Sequence, residues 1–167
     1  MRPTLYIFGG LPGTGKSTLS SALARHQKAV YIRIDAIEQT LRDGGLIEVG
    51  EAGYIIGYNL ALNNLRLENC VVADSVNPIG VTREAWIDTA RQAGMPYLEI
   101  EIICTDKDEH RRRIESREVN IVGLGLPDWK QIIDRQFDAW TSEDVVIDTA
   151  GQTIDESISC LFAALEN

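Results

Sequence analysis

Short apolar runs recur along the chain, and stretches with a helical spacing of apolar residues separate them. The runs are rich in aliphatic and β-branched residues, as expected of strands that are buried on both faces. They occupy residues 5–8, 30–34, 70–73, 97–103 and 145–147. Because strands that alternate with helices usually build a parallel sheet covered by helices on both sides, the pattern predicts an α/β fold.

The clearest helical pattern lies near the end of the sequence. Thr153 and Glu156 have the spacing of a capping box, which predicts that a helix begins there. One stripe of this helix carries the apolar residues Ile154, Ile158, Leu161, Phe162 and Leu165. A single apolar stripe is typical of a helix that packs against a core, so we expect this helix to cover the sheet.

Composition and charge narrow the function classes. The chain has 167 residues, of which 44% are hydrophobic, so we expect one domain over residues 1–167 with a substantial core. Its formal net charge of −9 repels nucleic acid and anionic membranes at long range. We therefore expect no nucleic-acid partner unless a local basic patch binds it.

Features of the sequence also predict the cellular location of the protein. The first strand is predicted close to the amino terminus, and no apolar run reaches the length of about 18 residues that a membrane helix needs. The cysteines, Cys70, Cys104 and Cys160, are far apart in apolar segments, which predicts buried, reduced thiols rather than a zinc site. We therefore expect a cytoplasmic protein with no membrane partner.

The segment between the first predicted strand and the first predicted helix carries the strongest motif. Residues 10–18 read GLPGTGKST, which matches the phosphate-binding pattern GxxxxGK[ST] in the context that this pattern requires. Glycines let backbone N–H groups surround the phosphates of ATP, and the following helix adds the positive end of its dipole. The predicted nucleotide-binding residues are Gly10, Leu11, Pro12, Gly13, Thr14, Gly15, Lys16, Ser17 and Thr18.

Two side chains of this motif have specific expected roles. We expect Lys16 to act in catalysis by contacting the β- and γ-phosphates of ATP, and Ser17 to ligate Mg²⁺. The alternative is a glycine-rich turn that binds nothing, which the flanking strand and helix signals disfavour.

Two aspartates end predicted strands, the place where ligands of open α/β sheets bind. Asp35 ends the second strand, and Asp74 ends the third. We expect Asp35 to accept the proton of an attacking hydroxyl, and Asp74 to hold Mg²⁺ directly or through water. The structural alternatives are that Asp35 only caps a helix over residues 36–42 and that Asp74 caps or braces a turn.

Candidate contacts to an acceptor substrate lie around the same aspartates. Besides Asp35, the candidates are Ser75, Asn77 and Arg83, and the guanidinium of Arg83 suits an anionic group of the substrate. Ordinary turn chemistry at Asn77 and a helix N-cap at Thr82 explain the same sequence equally well without a substrate.

A run of arginines precedes the second glycine-containing stretch of the chain. Arg113 and Arg117 are one helical turn apart, which predicts two catalytic guanidinium groups on a lid over approximately residues 111–128. Arg135, on the next predicted helix, is a weaker candidate for this task. Pairs at i and i+4, such as Arg113 with Glu109, favour the alternative of a solvated ion-pair face. Neither histidine has a sequence partner that indicates catalysis.

These features together resemble those of the small P-loop kinases. This group includes gluconate kinases, chloramphenicol phosphotransferase, zeta-toxin kinases, the kinase domains of polynucleotide kinases and AAA-type ATP-binding proteins. The resemblance extends from residue 4 to about residue 166. It implies a three-layer P-loop sandwich with a five-stranded parallel sheet of order 2-3-1-4-5 and a small helical lid. It also implies MgATP as donor, Asp35 as general base and Arg113 or Arg117 as lid arginine.

The departures from this group bear on the acceptor. Polynucleotide kinases carry an arginine three residues after the base, where this chain has Glu38, and this counts against a polynucleotide 5′-hydroxyl. The leading hypothesis is a kinase that phosphorylates a hydroxyl of a small molecule. The alternatives are a P-loop ATPase or nucleotide-binding regulator without such an acceptor, and a polynucleotide 5′-hydroxyl kinase. The sequence specifies neither the acceptor nor the oligomeric state.

Overall fold

The structure is a computed structural model that describes residues 2–116, 121–123, 125, 127–141 and 143–166. Strands and helices alternate along the chain, as the sequence pattern predicts. The strands are β1 (Leu5–Gly9), β2 (Val30–Arg33), β3 (Val71–Asp74), β4 (Tyr97–Ile103) and β5 (Val145–Asp148). The helices are α1 (Lys16–Gln27), α2 (Ile34–Asp43), α3 (Ala52–Arg66), α4 (Gly80–Ala93), α5 (Lys107–Glu115), α6 (Trp129–Ile133) and α7 (Ile154–Leu165).

Within the described residues, five strands form one sheet in the order β2-β3-β1-β4-β5, and every pairing is parallel. The expected α/β fold and strand order are therefore confirmed. The register places Asp74, at the end of β3, beside Phe8 of β1 on one side and Arg33 of β2 on the other. Three carboxyl-terminal strand ends thus meet at one edge of the sheet, which is where ligands of such sheets bind.

Each face of the sheet has its own apolar cluster, because successive side chains of a strand point to opposite faces. On β1, Leu5 and Ile7 belong to the cluster that contains Trp86 of α4. Tyr6 and Phe8 belong to the cluster on the other face. The first cluster is completed by Ile32, Ile34, Ala61, Leu65, Val71, Ala73, Ile87 and Ala90, and the second by Leu19, Leu23, Ala24, Val72, Ile100, Ile102, Ile147 and Leu161.

Helix α7 has the predicted capping box, in which the Thr153 hydroxyl accepts from the Glu156 backbone and the Glu156 carboxylate accepts from the Thr153 backbone. Leu161 is fully buried against the second face of the sheet. Ile154 differs from the prediction, because its side chain is 61% exposed. The first turn of the helix therefore projects beyond the core, and the packed stripe begins later in the helix.

Element boundaries differ from the sequence predictions at two positions near the ligand edge. Strand β2 ends at Arg33, and Asp35 lies in the first turn of α2 instead of at the strand end. Helix α4 begins at Gly80, so Thr82 is inside its first turn and its hydroxyl donates to the carbonyl of Ile79. In both cases the helix begins before the residue, Asp35 or Thr82, that the sequence suggests as its N-cap.

The cysteines were expected to be buried, and this is wrong for Cys160, which is exposed on α7. Cys104 is buried, Cys70 is half-buried, and each of the three is a free thiol. Within the described residues, none of the helices has the length and hydropathy needed to cross a bilayer. The cytoplasmic location stays a prediction.

Truncating Leu161 to alanine should destabilise the protein by about 3 kcal/mol, because the fully buried side chain leaves a cavity between α7 and the sheet. Ile154→Ala is the matched control on the same helix, and its free energy of unfolding should change by less than about 0.5 kcal/mol. Urea denaturation followed by circular dichroism measures both values. Equal losses in the two variants would contradict the packing described for α7.

Candidate active site

The loop between β1 and α1 has a backbone shape that requires glycine. Gly10, Gly13 and Gly15 have φ angles of 140°, 85° and 92°, in the region that residues with a Cβ rarely adopt. A Cβ at Gly10 would also overlap the carbonyl of Ile102, and one at Gly13 would overlap the side chain of Ile114. The loop is therefore tightly enclosed on the side that faces the rest of the protein.

Carbonyl groups of this loop are held from outside by side chains. The Thr14 hydroxyl donates to the Leu11 carbonyl at 3.0 Å, and the Thr149 hydroxyl donates to the Thr14 carbonyl at 2.8 Å. The ring Nε2 of His110 donates to the Pro12 carbonyl at 2.7 Å. With these oxygens engaged on the outside, backbone N–H groups are available on the inside, which is the arrangement that binds phosphate.

The carboxylate of Asp74 lies below the loop and is 1% exposed. The Lys16 ammonium donates to its Oδ1 at 2.5 Å, and the Tyr31 hydroxyl donates to its Oδ2 at 2.5 Å. The guanidinium Nε of Arg33 lies 3.8 Å from the same Oδ2. Asp74 thereby connects α1, β2 and β3 at the edge of the sheet.

Burial alone would favour the protonated form of Asp74, and the positive charge of Lys16 opposes this effect. Together with hydrogen bonds from Lys16, Tyr31 and Ser17, this charge holds the pKa of Asp74 below its ordinary value. The pKa of Tyr31 is raised, first by burial of its hydroxyl and then by the negative charge of Asp74. Asp74 is thus an ionised carboxylate next to Lys16 and Ser17.

A cavity of about 610 Å³ opens in front of the loop. Asp35 lines it, with its carboxylate 4.0 Å from the guanidinium of Arg33. The other predicted site residues among its lining are Leu11, Pro12, Gly13, Gly15, Lys16, Ser17, Thr18, Arg113 and Arg135. Gly10 and Thr14 are outside this lining and belong to the buried side of the loop. The cavity therefore joins the phosphate loop to the predicted base.

Three lining residues on α2 were missed in the sequence. Glu38, Gln39 and Arg42 share the face of the helix that carries Asp35. Burial raises the pKa of Glu38, and its ion pair with Arg42 at 3.3 Å acts in the opposite direction. The spacing of 3, 4 and 7 residues from Asp35 is the signal that would have found them, because it places all four on one helical face.

Arg113 lies on α5 and reaches the cavity wall beside the loop. Its guanidinium donates to the hydroxyl and the carbonyl of Thr149, both at 2.8 Å, and pairs with Glu109 at 2.6 Å. The i,i+4 ion pairs weighed as the alternative are therefore present, and Arg111 likewise pairs with Glu115. Arg113 combines a bracing contact to Thr149 with access to the cavity.

The predicted lid is described only in part. Arg117 lies outside the described residues, and α5 ends at Glu115. Gly123, Gly125 and Pro127 line the cavity. Arg135 also lines it, but it follows α6 instead of lying on a helix as expected.

Asn77 and Ser75 were expected to bind an acceptor, and the structure places both in the packed interior. Asn77 is fully buried, has a φ of 49°, and donates through Nδ2 to the carbonyl of Phe8 at 2.8 Å. Its amide therefore braces the end of β1 just before the phosphate loop. Ser75 is 2% exposed and is not among the residues that line the cavity.

Arg83 was also expected to contact the acceptor, and its guanidinium instead anchors the segment after α6. It donates to the carbonyls of Asp138 and Ala139 at 2.9 and 3.3 Å. Its carbon Cζ lies 4.9 Å from the centre of the Trp140 ring, in a cation–π arrangement. These contacts give Arg83 a structural role, and its side chain does not line the cavity.

The family model described as an AAA domain matches residues 5–140, which includes the phosphate loop, Asp35, Asp74 and Arg113. The chain belongs to this AAA domain family. No protein of curated function is significantly similar to the chain.

Solved structures show which fold this AAA domain has. A putative kinase from Chloroflexus aurantiacus is 21% identical, with a TM-score of 0.76 over 99% of this chain and 98% of that one. The adenylylsulfate (APS) kinase of Mycobacterium tuberculosis, solved with AMPPNP and APS, is 18% identical, with a TM-score of 0.69 and 99% coverage of both chains. A gluconokinase from Sinorhizobium meliloti is 17% identical, with a TM-score of 0.67 over 98% and 92%. This AAA domain therefore has the P-loop kinase fold.

Replacing Asp74 by asparagine should lower the free energy of unfolding at pH 7 by about 3 kcal/mol, because Lys16 would lose its buried counter-charge. The pKa of Asp74 is depressed in the folded state, so its stabilisation is fully present above about pH 4 and is lost as the pH falls through the folded pKa. The difference between the wild type and the variant should therefore shrink below about pH 4. Urea denaturation at pH 7, 5, 4 and 3 measures it.

Asp88→Asn is the control for this experiment. Asp88 pairs with Arg91 on the exposed face of α4, where both side chains are more than half exposed. Its loss should change stability by less than about 0.5 kcal/mol over the same pH range. If Asp74→Asn has the same free energy of unfolding as the wild type at pH 7, the stabilising role of the buried Lys16–Asp74 pair is contradicted.

Proposed function

We propose that this AAA domain is an ATP-dependent phosphotransferase that moves the γ-phosphate of MgATP to a hydroxyl group of a small molecule. The observation that carries the proposal is that Asp35 and the phosphate loop with Lys16 line the same cavity. Phosphoryl transfer to a hydroxyl requires a binding site for the triphosphate and a candidate base that face the same cavity.

The residues present fit MgATP. Gly13 and Gly15 line the cavity without a side chain that would keep phosphates from the backbone, and α1 begins directly behind them with Lys16. Ser17 and the ionised Asp74, which are hydrogen-bonded to each other, would hold Mg²⁺ directly or through water. When bound, Mg²⁺ neutralises phosphate charge.

In the proposed reaction Asp35 accepts the proton of the acceptor hydroxyl. The hydroxyl oxygen forms a bond to the γ-phosphorus while the bond from that phosphorus to the bridging oxygen of ADP breaks, so ADP and a phosphate ester are the products. Lys16 stabilises the charge on the phosphates, and Arg113 is placed to add a second positive charge. Arg117, which the sequence also predicts to act here, is a further candidate for this task.

A small acceptor is favoured over a polynucleotide. The net charge of −9 repels a polyanion at long range. The structural neighbours include kinases whose names specify APS and gluconate, and a small hydroxyl compound is accordingly the acceptor class proposed for this chain.

The test is acceptor-dependent ADP formation in a screen of small hydroxyl compounds, with wild type and Asp35→Asn compared. Asparagine retains the size of the side chain but cannot take the proton, so the rate should fall by a factor of about 100 or more. Binding of AMPPNP, followed by calorimetry, should be unchanged. Asp155→Asn, on the exposed first turn of α7, is the control and should keep full activity.

Two results would contradict the proposal. Steady ATP hydrolysis that no acceptor stimulates and that Asp35→Asn leaves intact indicates an ATPase. AMPPNP binding without turnover of any kind indicates a nucleotide-binding regulator. Transfer to the 5′-hydroxyl of an oligonucleotide, but to none of the small compounds, would keep the chemistry and reject the acceptor class.

A further inference from the structure

The cavity is cationic although the protein as a whole carries a net charge of −9. Among the described residues that line it, five side chains are positive and two are negative. The positive ones are Lys16, Arg33, Arg42, Arg113 and Arg135, and the negative ones are Asp35 and Glu38. Lys16 and Arg113 belong to the phosphate loop and its neighbour α5, so the other three arginines are additional to the charges that flank the loop.

These three arginines differ in how closely neighbouring carboxylates balance their positive charge. Arg33 lies between two carboxylates, 4.0 Å from Asp35 and 3.8 Å from Asp74, and is 19% exposed. Among the described residues Arg42 has one ion pair, with Glu38, and its own side chain is 42% exposed. Exposed pairs of this kind contribute little, so Arg42 can exchange its partner for a ligand at small cost.

Arg135 is the least matched of the three. It lines the cavity and attracts the negative charge of Glu38, but within the described part of the chain it has no ion pair within 4.0 Å. Glu38 thus interacts with the charges of Arg42, Arg135 and Asp35, and with Arg33 beside Asp35 this part of the lining holds three arginines and two carboxylates. The wall around Glu38 thus has an excess of positive charge that a bound anion would match.

None of the described residues around the cavity is aromatic, so recognition there depends on charge and hydrogen bonds more than on stacking between aromatic rings. The polar and charged wall suits a hydrophilic compound.

We propose that the acceptor carries an oxyanion group, a carboxylate or a phosphate ester, which Arg135 and Arg42 bind while the reacting hydroxyl faces Asp35. This inference rests on the proposed function for the identity of the reacting group, but the oxyanion site itself is independent of catalysis. Guanidinium groups bind carboxylate and phosphate oxygens through paired hydrogen bonds, which gives both charge and orientation.

The site can be tested without knowing the acceptor. With AMPPNP and Mg²⁺ filling the phosphate loop, inorganic phosphate is titrated into the wild type and into Arg135→Gln, Arg42→Gln and the control Arg91→Gln. Arg91 pairs with Glu84 and Asp88 on the exposed face of α4. Saturable binding should weaken about tenfold in the first two variants and remain unchanged in the third, because each lost charged hydrogen bond accounts for about one order of magnitude.

Displacement of the bound phosphate distinguishes the two sources of the oxyanion. Gluconate represents a carboxylate, glucose 6-phosphate represents a phosphate ester, and glucitol is the neutral comparison. Displacement by either anion but not by glucitol supports the proposal. Absence of saturable phosphate binding, or binding that Arg135→Gln leaves unchanged, overturns it. Failure of the kinase proposal would be seen separately, as activity that Asp35→Asn does not affect while this anion binding is retained.

A second, independent observation concerns the outer side of the phosphate loop. His110 is 6% exposed on α5, and its Nε2 holds the carbonyl of Pro12 at 2.7 Å. The ring of Trp129, at the start of α6, lies against His110 edge-on, with 5.1 Å between the ring centres. Gly13 packs against both His110 and Ile114, so α5 supports the outermost part of the loop.

We infer that His110 is a positioning residue that keeps the phosphate loop in its binding shape before ATP arrives. A loop whose carbonyls are fixed outward does not have to be ordered by the ligand, and this preorganisation improves affinity. Removing the donor of one such hydrogen bond should lower nucleotide affinity while leaving in place the acceptor site, which Asp35 and Arg42 of α2 and Arg135 after α6 form.

His110→Phe keeps a ring in the pocket but cannot donate to Pro12. Its dissociation constant for AMPPNP should rise about fivefold, and His110→Gln, which retains a donor, should recover most of the affinity. His26→Phe is the control, since His26 stacks on Phe162 at the opposite end of α1. The KM for the acceptor should be the same in all variants.

Hydrogen exchange of the nucleotide-free protein separates positioning from general destabilisation. In His110→Phe the amides of residues 10–15 should exchange faster, while those of α7 should be unchanged. An AMPPNP affinity within twofold of wild type in folded His110→Phe, or faster exchange spread evenly over the protein, overturns the inference. If the phenylalanine variant does not fold, the same comparison is made between His110→Gln and His110→Asn, because asparagine is too short to reach Pro12.

Discussion

The buried carboxylate of Asp74 is the contact on which the rest of the site depends. Asp74 is the last residue of β3 that pairs with β1 and β2. Its carboxylate accepts hydrogen bonds from Lys16 of the phosphate loop and from Tyr31 of β2. A buried carboxylate is stable only when its oxygens are matched in this way. Since the same carboxylate fixes Lys16, the position of the phosphate-binding cation is determined by the register of the sheet.

The phosphate loop is held from the opposite side by α5 and the end of β5. Thr149 binds the Thr14 carbonyl, and Arg113 in turn holds Thr149, while His110 holds Pro12. The loop is thus fixed between the Asp74 network at the sheet edge and a second hydrogen-bond network on its outer side, which includes the Arg113–Glu109 ion pair. The first network positions Lys16 for the phosphates, and the second holds loop carbonyls away from them.

Those parts of the structure that depend on local sequence could be predicted, and those that depend on distant contacts could not. The strand order was implied by the resemblance to the small P-loop kinases, and the placement of Asp35 in the cavity follows from the edge at which parallel strands end. Arg83 and His110 show the limit, because their partners, Asp138 and Pro12, are 55 and 98 residues away in sequence. Glu38 and Arg42 were within reach, since helical spacing from Asp35 alone places them on the same face.

The protein as a whole is negatively charged and its cavity lining is mainly positive, and this difference affects which anions bind. An overall charge of −9 acts at long range and opposes large polyanions, whose many charges remain close to the acidic surface. A small anion with one or two charges experiences this repulsion weakly, because salt screens charges beyond about 8–10 Å. Once inside the cavity it is surrounded mainly by guanidinium groups. The two fields together therefore favour compact anions such as ATP and a small acidic acceptor over nucleic acid, without any need for a steric barrier.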